Sequence, residues 1–299
     1  MRENRLDRRQ FLGRSLTMIS AGGLAGSVPL SAVAGEQAAA GGDAPPRKFR
    51  LGMVTYMMGA KMDVPTLIKT LKEVQFEGVE LRTSHAHGVE PTLSAEKRRE
   101  VKKQFEDSGI ILWSLGTTCE FHSPKADELR KQIQTCGEFC KLAKDVGARG
   151  VKVRPNNLPK EVPVEKTLEQ IGKSLIECGK MAEDNGVEVW LEVHGGVADP
   201  VKIRTIMDIC SHPKVGVCWN SNASDVKGGS VKENFLLLRK NLMTCHITDL
   251  FNEKYPWREL FTLMRQTNYD RFTLAEIQAA PDPVSALKKY REQWLALSS

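Results

Sequence analysis

The chain has 299 residues, 27% of them charged and 41% hydrophobic, with a formal net charge of +6. Five arginines against Glu3 and Asp7 put +3 of that charge into residues 1–34. The remainder carries +3 and no basic stripe of the kind that nucleic-acid binding demands, so nucleic acid is excluded as an expected partner.

In chain order, residues 1–34 come first and read as an export signal. Arg8 and Arg9 precede Gln10, Phe11 and Leu12, a weakly apolar Gly/Ala-rich stretch follows, and Ala32-Val33-Ala34 matches a small-x-small cleavage site. The paired arginines resemble the twin-arginine type, which implies the twin-arginine translocation machinery as a partner and a periplasmic destination. The apolar part is short and rich in Gly and Ser, so no membrane anchor is expected after cleavage. Residues 35–47 are low-complexity and read as a flexible lead-in. The seven cysteines are odd in number and form no CxxC pair; they are expected to be small buried hydrophobes.

From Lys48 onward, apolar strand-like runs alternate with amphipathic helical ones. The predicted strands are 49–57, 78–82, 110–116, 149–154, 187–194, 215–220, 243–248 and 272–277. The predicted helices are 64–75, 94–108, 125–145, 165–184, 200–210, 231–240, 257–267 and 282–297. Gly109, Gly147 and Gly186 stand where helices should end. Strict alternation makes the strands parallel. Eight units in one domain of roughly 250 residues predict an α/β fold, a single-domain (β/α)8 TIM barrel over 48–299. An open doubly wound sheet is the alternative, but no GxGxxG follows the first strand.

Period-2 alternation then sorts the strands. One face of the fifth holds Glu188, Trp190, Glu192 and His194, and one face of the sixth holds Gly216, Cys218 and Asn220. On the seventh, Thr244, His246 and Thr248 align, and on the eighth Leu274, Glu276 and Gln278. The valines of these strands point the other way, toward the helices. The same parity puts Glu80 and Arg82, and Lys152 and Arg154, inside the barrel. Isolated buried charges are expensive, so such groups are paired or hold a metal. Glu192, Asn220, His246 and Glu276 therefore form a candidate site for one divalent ion, with Mn2+, Mg2+, Co2+ and Zn2+ suiting its oxygen and nitrogen donors. The alternative for Glu80, Lys152 and Arg154 is structural pairing with one another or with Glu188.

An ion at such a site polarises a carbonyl, and Glu192 and Glu276 are the candidate proton carriers. Arg82, His85, Lys152, Arg154, His194 and Arg258 are candidate substrate contacts.

The stretches GVELR (78–82), LEVHG (191–195), VGVCWNSN (215–222), HITDL (246–250) and LAEI (274–277) resemble the xylose isomerase-like TIM-barrel superfamily over about 48–297. That superfamily includes sugar isomerases, tagatose-type 3-epimerases, inosose dehydratases and endonuclease IV relatives. The resemblance implies Glu192, His246 and Glu276 as metal ligands, and Glu192 and Glu276 as the acid/base pair. Asn220 departs from the usual aspartate, and Ala223 replaces a histidine often found in epimerases. The loss of a charged ligand at Asn220 points to weaker metal binding. No arginine follows the seventh strand at the epimerase position; Arg258 comes later. The expected activity is that of an exported, metal-dependent sugar isomerase or epimerase working through an enediolate. Two alternatives stay open: a lyase or dehydratase on a keto-sugar or keto-glycoside, and a sugar-binding barrel without catalysis.

Overall fold

Helix boundaries follow local chemistry. Asp63, Asp199 and Asp282 each accept a backbone N–H of the first helical turn, and each is followed within two residues by a proline. Gly109, Gly147 and Gly186 end their helices in the left-handed region at φ 76°, 80° and 69°, where a side chain would be strained.

The computed structural model describes residues 45–299. The strands are β1 (Arg50–Val54), β2 (Gly78–Arg82), β3 (Ile111–Gly116), β4 (Gly150–Val153), β5 (Glu188–Glu192), β6 (Val215–Asn220), β7 (Leu242–Ile247) and β8 (Phe272–Ala275). The helices are α1 (Val64–Glu73), α2 (Ala95–Ser108), α3 (Ala126–Val146), α4 (Val164–Asn185), α5 (Pro200–Ile209), α6 (Lys232–Leu238), α7 (Trp257–Gln266) and α8 (Pro283–Ser298). Each strand pairs in parallel with the next, and β8 closes onto β1. This is the (β/α)8 barrel read from the alternation, and every predicted strand and helix is present. The export signal over 1–34 and most of the lead-in lie outside the described residues. Among the described residues no helix is long and apolar enough to cross a membrane. All seven cysteines are buried and unpaired.

The barrel interior is layered. At the N-terminal end Glu188 is paired with Arg149 at 2.7 Å and Arg271 at 2.6 Å. Lys152 and Arg154, the partners considered for Glu188 from sequence, lie nearer the other end and bond elsewhere. Above Glu188, Trp113 stacks on Trp190 at 5.3 Å and packs on Phe272 at 4.9 Å. Glycines opposite these rings make the room: a Cβ on Gly150 would lie 2.5 Å from the Trp190 ring. The outward valines Val151, Val153, Val189, Val215 and Val217 join the helices in one core. The apolar layer leaves the upper barrel to polar side chains, as the parity predicted.

Candidate functional site

Strand ends deliver the site. Glu192 and Asn220 are the last residues of β5 and β6, His246 is one residue short of the end of β7, and Glu276 follows β8. Parallel register sets Asn220 opposite His246, and the Glu276 N–H donates to the Ile247 carbonyl at 2.9 Å. Active sites of this architecture are built at this C-terminal end.

Glu192, His246 and Glu276 each offer a donor atom within 4.8 Å of the others. His246 Nδ1 is 3.2 Å from Glu192 Oε1 and 3.5 Å from Glu276 Oε2. Lys152 Nζ donates to Glu192 Oε2 at 2.9 Å, inside the barrel. The Asn220 amide nitrogen donates to Glu192 Oε1 at 3.1 Å. Asn220 was expected to offer its carbonyl oxygen as a fourth ligand; here its amide N–H faces the carboxylate, and it acts as a partner of Glu192.

The electrostatics favour positive charge at this point. Burial by itself would raise the Glu192 carboxyl, but the Lys152 ammonium and the His246 imidazole outweigh it and hold Glu192 well below the usual carboxylate range. Burial likewise works against the charge of His246, yet its Cys218, Glu80 and Glu276 neighbours push the imidazole well above its ordinary value. Two atoms behind the site have no hydrogen-bond partner: Glu80 Oε1 and His246 Nε2, which are 3.3 Å apart. An ion held through Nδ1 would leave the imidazole proton on Nε2, toward Glu80, and would satisfy both atoms. Such carboxylate–histidine support is common at metal centres. Two carboxylates and one imidazole, with an orphaned pair behind, therefore fit a divalent ion.

Glu80 was read from sequence as inward, but not as the support of His246. The missing signal is a bulge. The β2–β3 register shifts between Val79 and Glu80, so Ser114 lies opposite Glu80. Ser114 Oγ then donates to Glu80 Oε2 at 2.7 Å. Plain alternation from Trp113 would have turned Ser114 outward. Gly116 completes the nest, because a Cβ there would lie 2.5 Å from Glu80 Oε1.

Arg82, Lys152, Arg154 and His194 join Glu192 and Glu276 around a cavity of about 80 Å3. Arg154 Nε lies 2.9 Å from Glu120 Oε1, and His194 Nδ1 is 3.1 Å from Asn156 Oδ1. Glu120 and Asn156 lie beyond expected strands, where sequence alternation carries no signal. His85 is bonded to Thr55 Oγ1 at 2.9 Å and lines neither this cavity nor the larger one beside it. Arg258 is exposed and donates to the Ala296 carbonyl at 3.3 Å, near the end of α8. The structure does not bring Arg258 to the site; α7 starts at Trp257 and directs Arg258 toward a neighbouring helix instead.

Residues 68–296 match the family model described as the xylose isomerase-like TIM barrel. No curated protein matches the chain in sequence. Solved structures share the fold. The 3-keto-D-glucoside 4-epimerase of E. coli superposes with a TM-score of 0.69 at 16% identity, over 84% of this chain and 99% of that one. D-psicose 3-epimerase of Clostridium cellulolyticum gives 0.70 at 16% identity, over 84% and 98%. The probable 3-DHS dehydratase of Bacillus anthracis gives 0.66 at 13% identity, over 83% and 99%. With its closed eightfold barrel and a family match across most of its length, the chain belongs to the xylose isomerase-like TIM-barrel family.

Proposed function

We propose that this protein is an exported, metal-dependent enzyme that moves a proton at the carbon next to a carbohydrate carbonyl, as sugar isomerases and epimerases do. The observation that carries the reading is the convergence of Glu192, His246 and Glu276 at the barrel mouth. The names of the two epimerases above support carbohydrate as the substrate class.

A divalent ion held by Glu192, His246 and Glu276 would polarise the substrate carbonyl. The protein's own residues do the rest. Both oxygens of Glu192 are engaged, one by Lys152 and the other by Asn220 and His246. Glu276 is half-buried and faces the cavity, which makes it the freer carboxylate and the first proton carrier. It takes the proton from carbon; Glu192, held ionised by its neighbours, returns one from the other side only as it receives a proton in turn from Lys152 Nζ, 2.9 Å away, which solvent then replaces. Return to the same carbon inverts it; return to the neighbouring carbon isomerises the sugar. Arg82, Arg154 and His194 bind hydroxyls and steady the developing oxyanion. If a β-substituent leaves after the first step, the same residues give a dehydratase or lyase, and the barrel shared with a probable dehydratase favours keeping this second outcome.

The test is solvent deuterium incorporation. Metal-loaded protein is incubated with keto-sugars in D2O, and the recovered sugar is read by mass spectrometry and NMR. The expected result is one deuteron at the carbon α to the carbonyl, lost in Glu276→Gln. Loss of the β-group identifies the lyase outcome. Binding of sugar with neither exchange nor elimination would identify a sugar-binding barrel. Export is tested by fractionating cells that carry Arg8→Lys/Arg9→Lys, which are expected to retain the protein in the cytoplasm.

A further inference from the structure

A second, larger cavity of about 600 Å3 opens beside the charged one and shares Tyr56, His194 and Glu276 with it. The two spaces differ in size and chemistry. The smaller, about 80 Å3 and lined mainly by charged side chains, has polar groups for a carbonyl and its adjoining hydroxyls. The larger space falls within the roughly 300–1,000 Å3 of pockets that enclose whole organic ligands.

By area its walls are mainly apolar, with Met57, Met58, Phe251, Ile277, Ala280 and Tyr290 contributing. Thr248, Asp249, Gln278 and Lys289 add polar groups. Tyr290 turns its hydroxyl away, donating to the Ile247 carbonyl at 3.0 Å, and so offers the cavity its ring. Five large hydrophobic residues are exposed among the described residues, and two of them, Tyr56 at 43% and Phe251 at 56%, stand at this cavity. Exposed aromatics beside a concave apolar wall mark a ligand surface more often than chance exposure does. Met57, between Tyr56 and Met58, holds φ at 63°, a left-handed conformation that is costly for a non-glycine residue and clusters at ligand sites.

From this continuity and contrast, and resting on the function proposed above, we infer that the larger cavity is an aglycone subsite. The substrate is then a glycoside: its sugar ring reaches Glu276 and the charged cavity, and an aryl or alkyl aglycone lies between Tyr56 and Phe251. A second sugar is the competing occupant, because Thr248, Asp249, Gln278 and Lys289 also line the space and can meet hydroxyls; the apolar share of the wall, with Tyr56 and Phe251 exposed on it, favours the aryl or alkyl group.

Calorimetry on the metal-loaded protein tests this with matched pairs: glucose, galactose and xylose, each against its phenyl β-glycoside, with cellobiose as the disaccharide probe. Burying a phenyl group is expected to tighten binding by about tenfold or more within at least one pair. Cellobiose is expected to bind no tighter than glucose. Ala280→Trp fills the cavity and is expected to bring the phenyl glycoside to within about twofold of its free sugar; Phe251→Ala is expected to shrink the difference in the same direction. Equal affinities within every pair overturn the inference. So does absence of binding by all phenyl glycosides, an aryl advantage that survives both variants, or cellobiose as the tightest ligand. Deuterium exchange from the 3-keto phenyl glycoside separates the two claims. Aryl-selective binding without exchange retains the subsite and removes the proton-transfer reading, whereas exchange without aryl selectivity does the reverse.

Discussion

Glu80 backs His246 on the side away from the candidate ligands, 3.3 Å from its Nε2. Ser114 fixes one of its oxygens, and the other faces His246 Nε2. In Glu80→Gln the Ser114 contact can persist, but the imidazole loses its anionic acceptor. The expected result is a metal affinity lower by about 10–100-fold, with the barrel still folded. Competition with a fluorescent chelator measures the first, and circular dichroism checks the second. Asn220 is the complementary case. Its amide donates to Glu192 without adding charge. Asn220→Asp would place another carboxylate against Glu192. The variant is expected to bind a divalent ion more tightly and to be less stable without one, because like charges then lack a cation between them. Melting temperatures with metal and with chelator read both effects; equal shifts in the variant and the native protein would contradict the proposed position of Asn220. The carboxylates, His246 and Lys152 were legible in the sequence because a charged residue inside a run buried on both faces has few structural uses. Arg258 was misread because only its proximity to the seventh strand pointed to the site.

The elements were legible to different depths. Alternation placed the upper-barrel residues of β5, β6 and β7 and the residue following β8, since those strands carry the inward pattern to their ends. It gave no face assignment for β3, where the bulge brings Ser114 beside Trp113 on the inward side. A bulge leaves no compositional mark in ILWSLG. The turn after β6 holds another feature hidden from periodicity. Asp225 is buried there, with Oδ2 accepting the Asn222 N–H at 2.8 Å and the Tyr255 hydroxyl at 3.0 Å, while Oδ1 has no partner. Burial pushes its carboxyl up to about 7 against the pull of those two donors. Its folded value thus lies above its unfolded one, so the native state holds the extra proton between about pH 4 and pH 7. Stability from this group is highest below that window and is lost as pH rises through it. The loss is on the order of 4 kcal/mol. Asp225→Asn cannot ionise. The melting-temperature difference, variant minus native, is expected to grow from about pH 4 to pH 7 and then level off. A difference independent of pH would show that Asp225 keeps an ordinary carboxyl.

At the scale of the whole molecule, the fold divides its labour between the two ends of the barrel. Glu188 with Arg149 and Arg271 closes the N-terminal end, aromatic rings fill the middle, and inside the barrel the unmatched pair Glu80 Oε1 and His246 Nε2 lies toward the C-terminal end. The overall architecture was readable because eight repeats of one pattern leave few topologies. The larger cavity was not, since much of its wall comes from loops and from α8, and loop geometry is set by contacts distant in sequence. Metal binding couples the site to the stability of the barrel: an ion at about a hundred times its dissociation constant is expected to add ~2.7 kcal/mol. The most direct measurement of the central claim is calorimetric titration of Mn2+, Co2+, Mg2+ and Zn2+ into metal-free mature protein and into Glu276→Gln. One equivalent bound by the native protein, weakened or abolished in the variant, is the expected result. No uptake of any of these ions by the native protein would contradict the site, and equal uptake by both proteins would place the ion elsewhere.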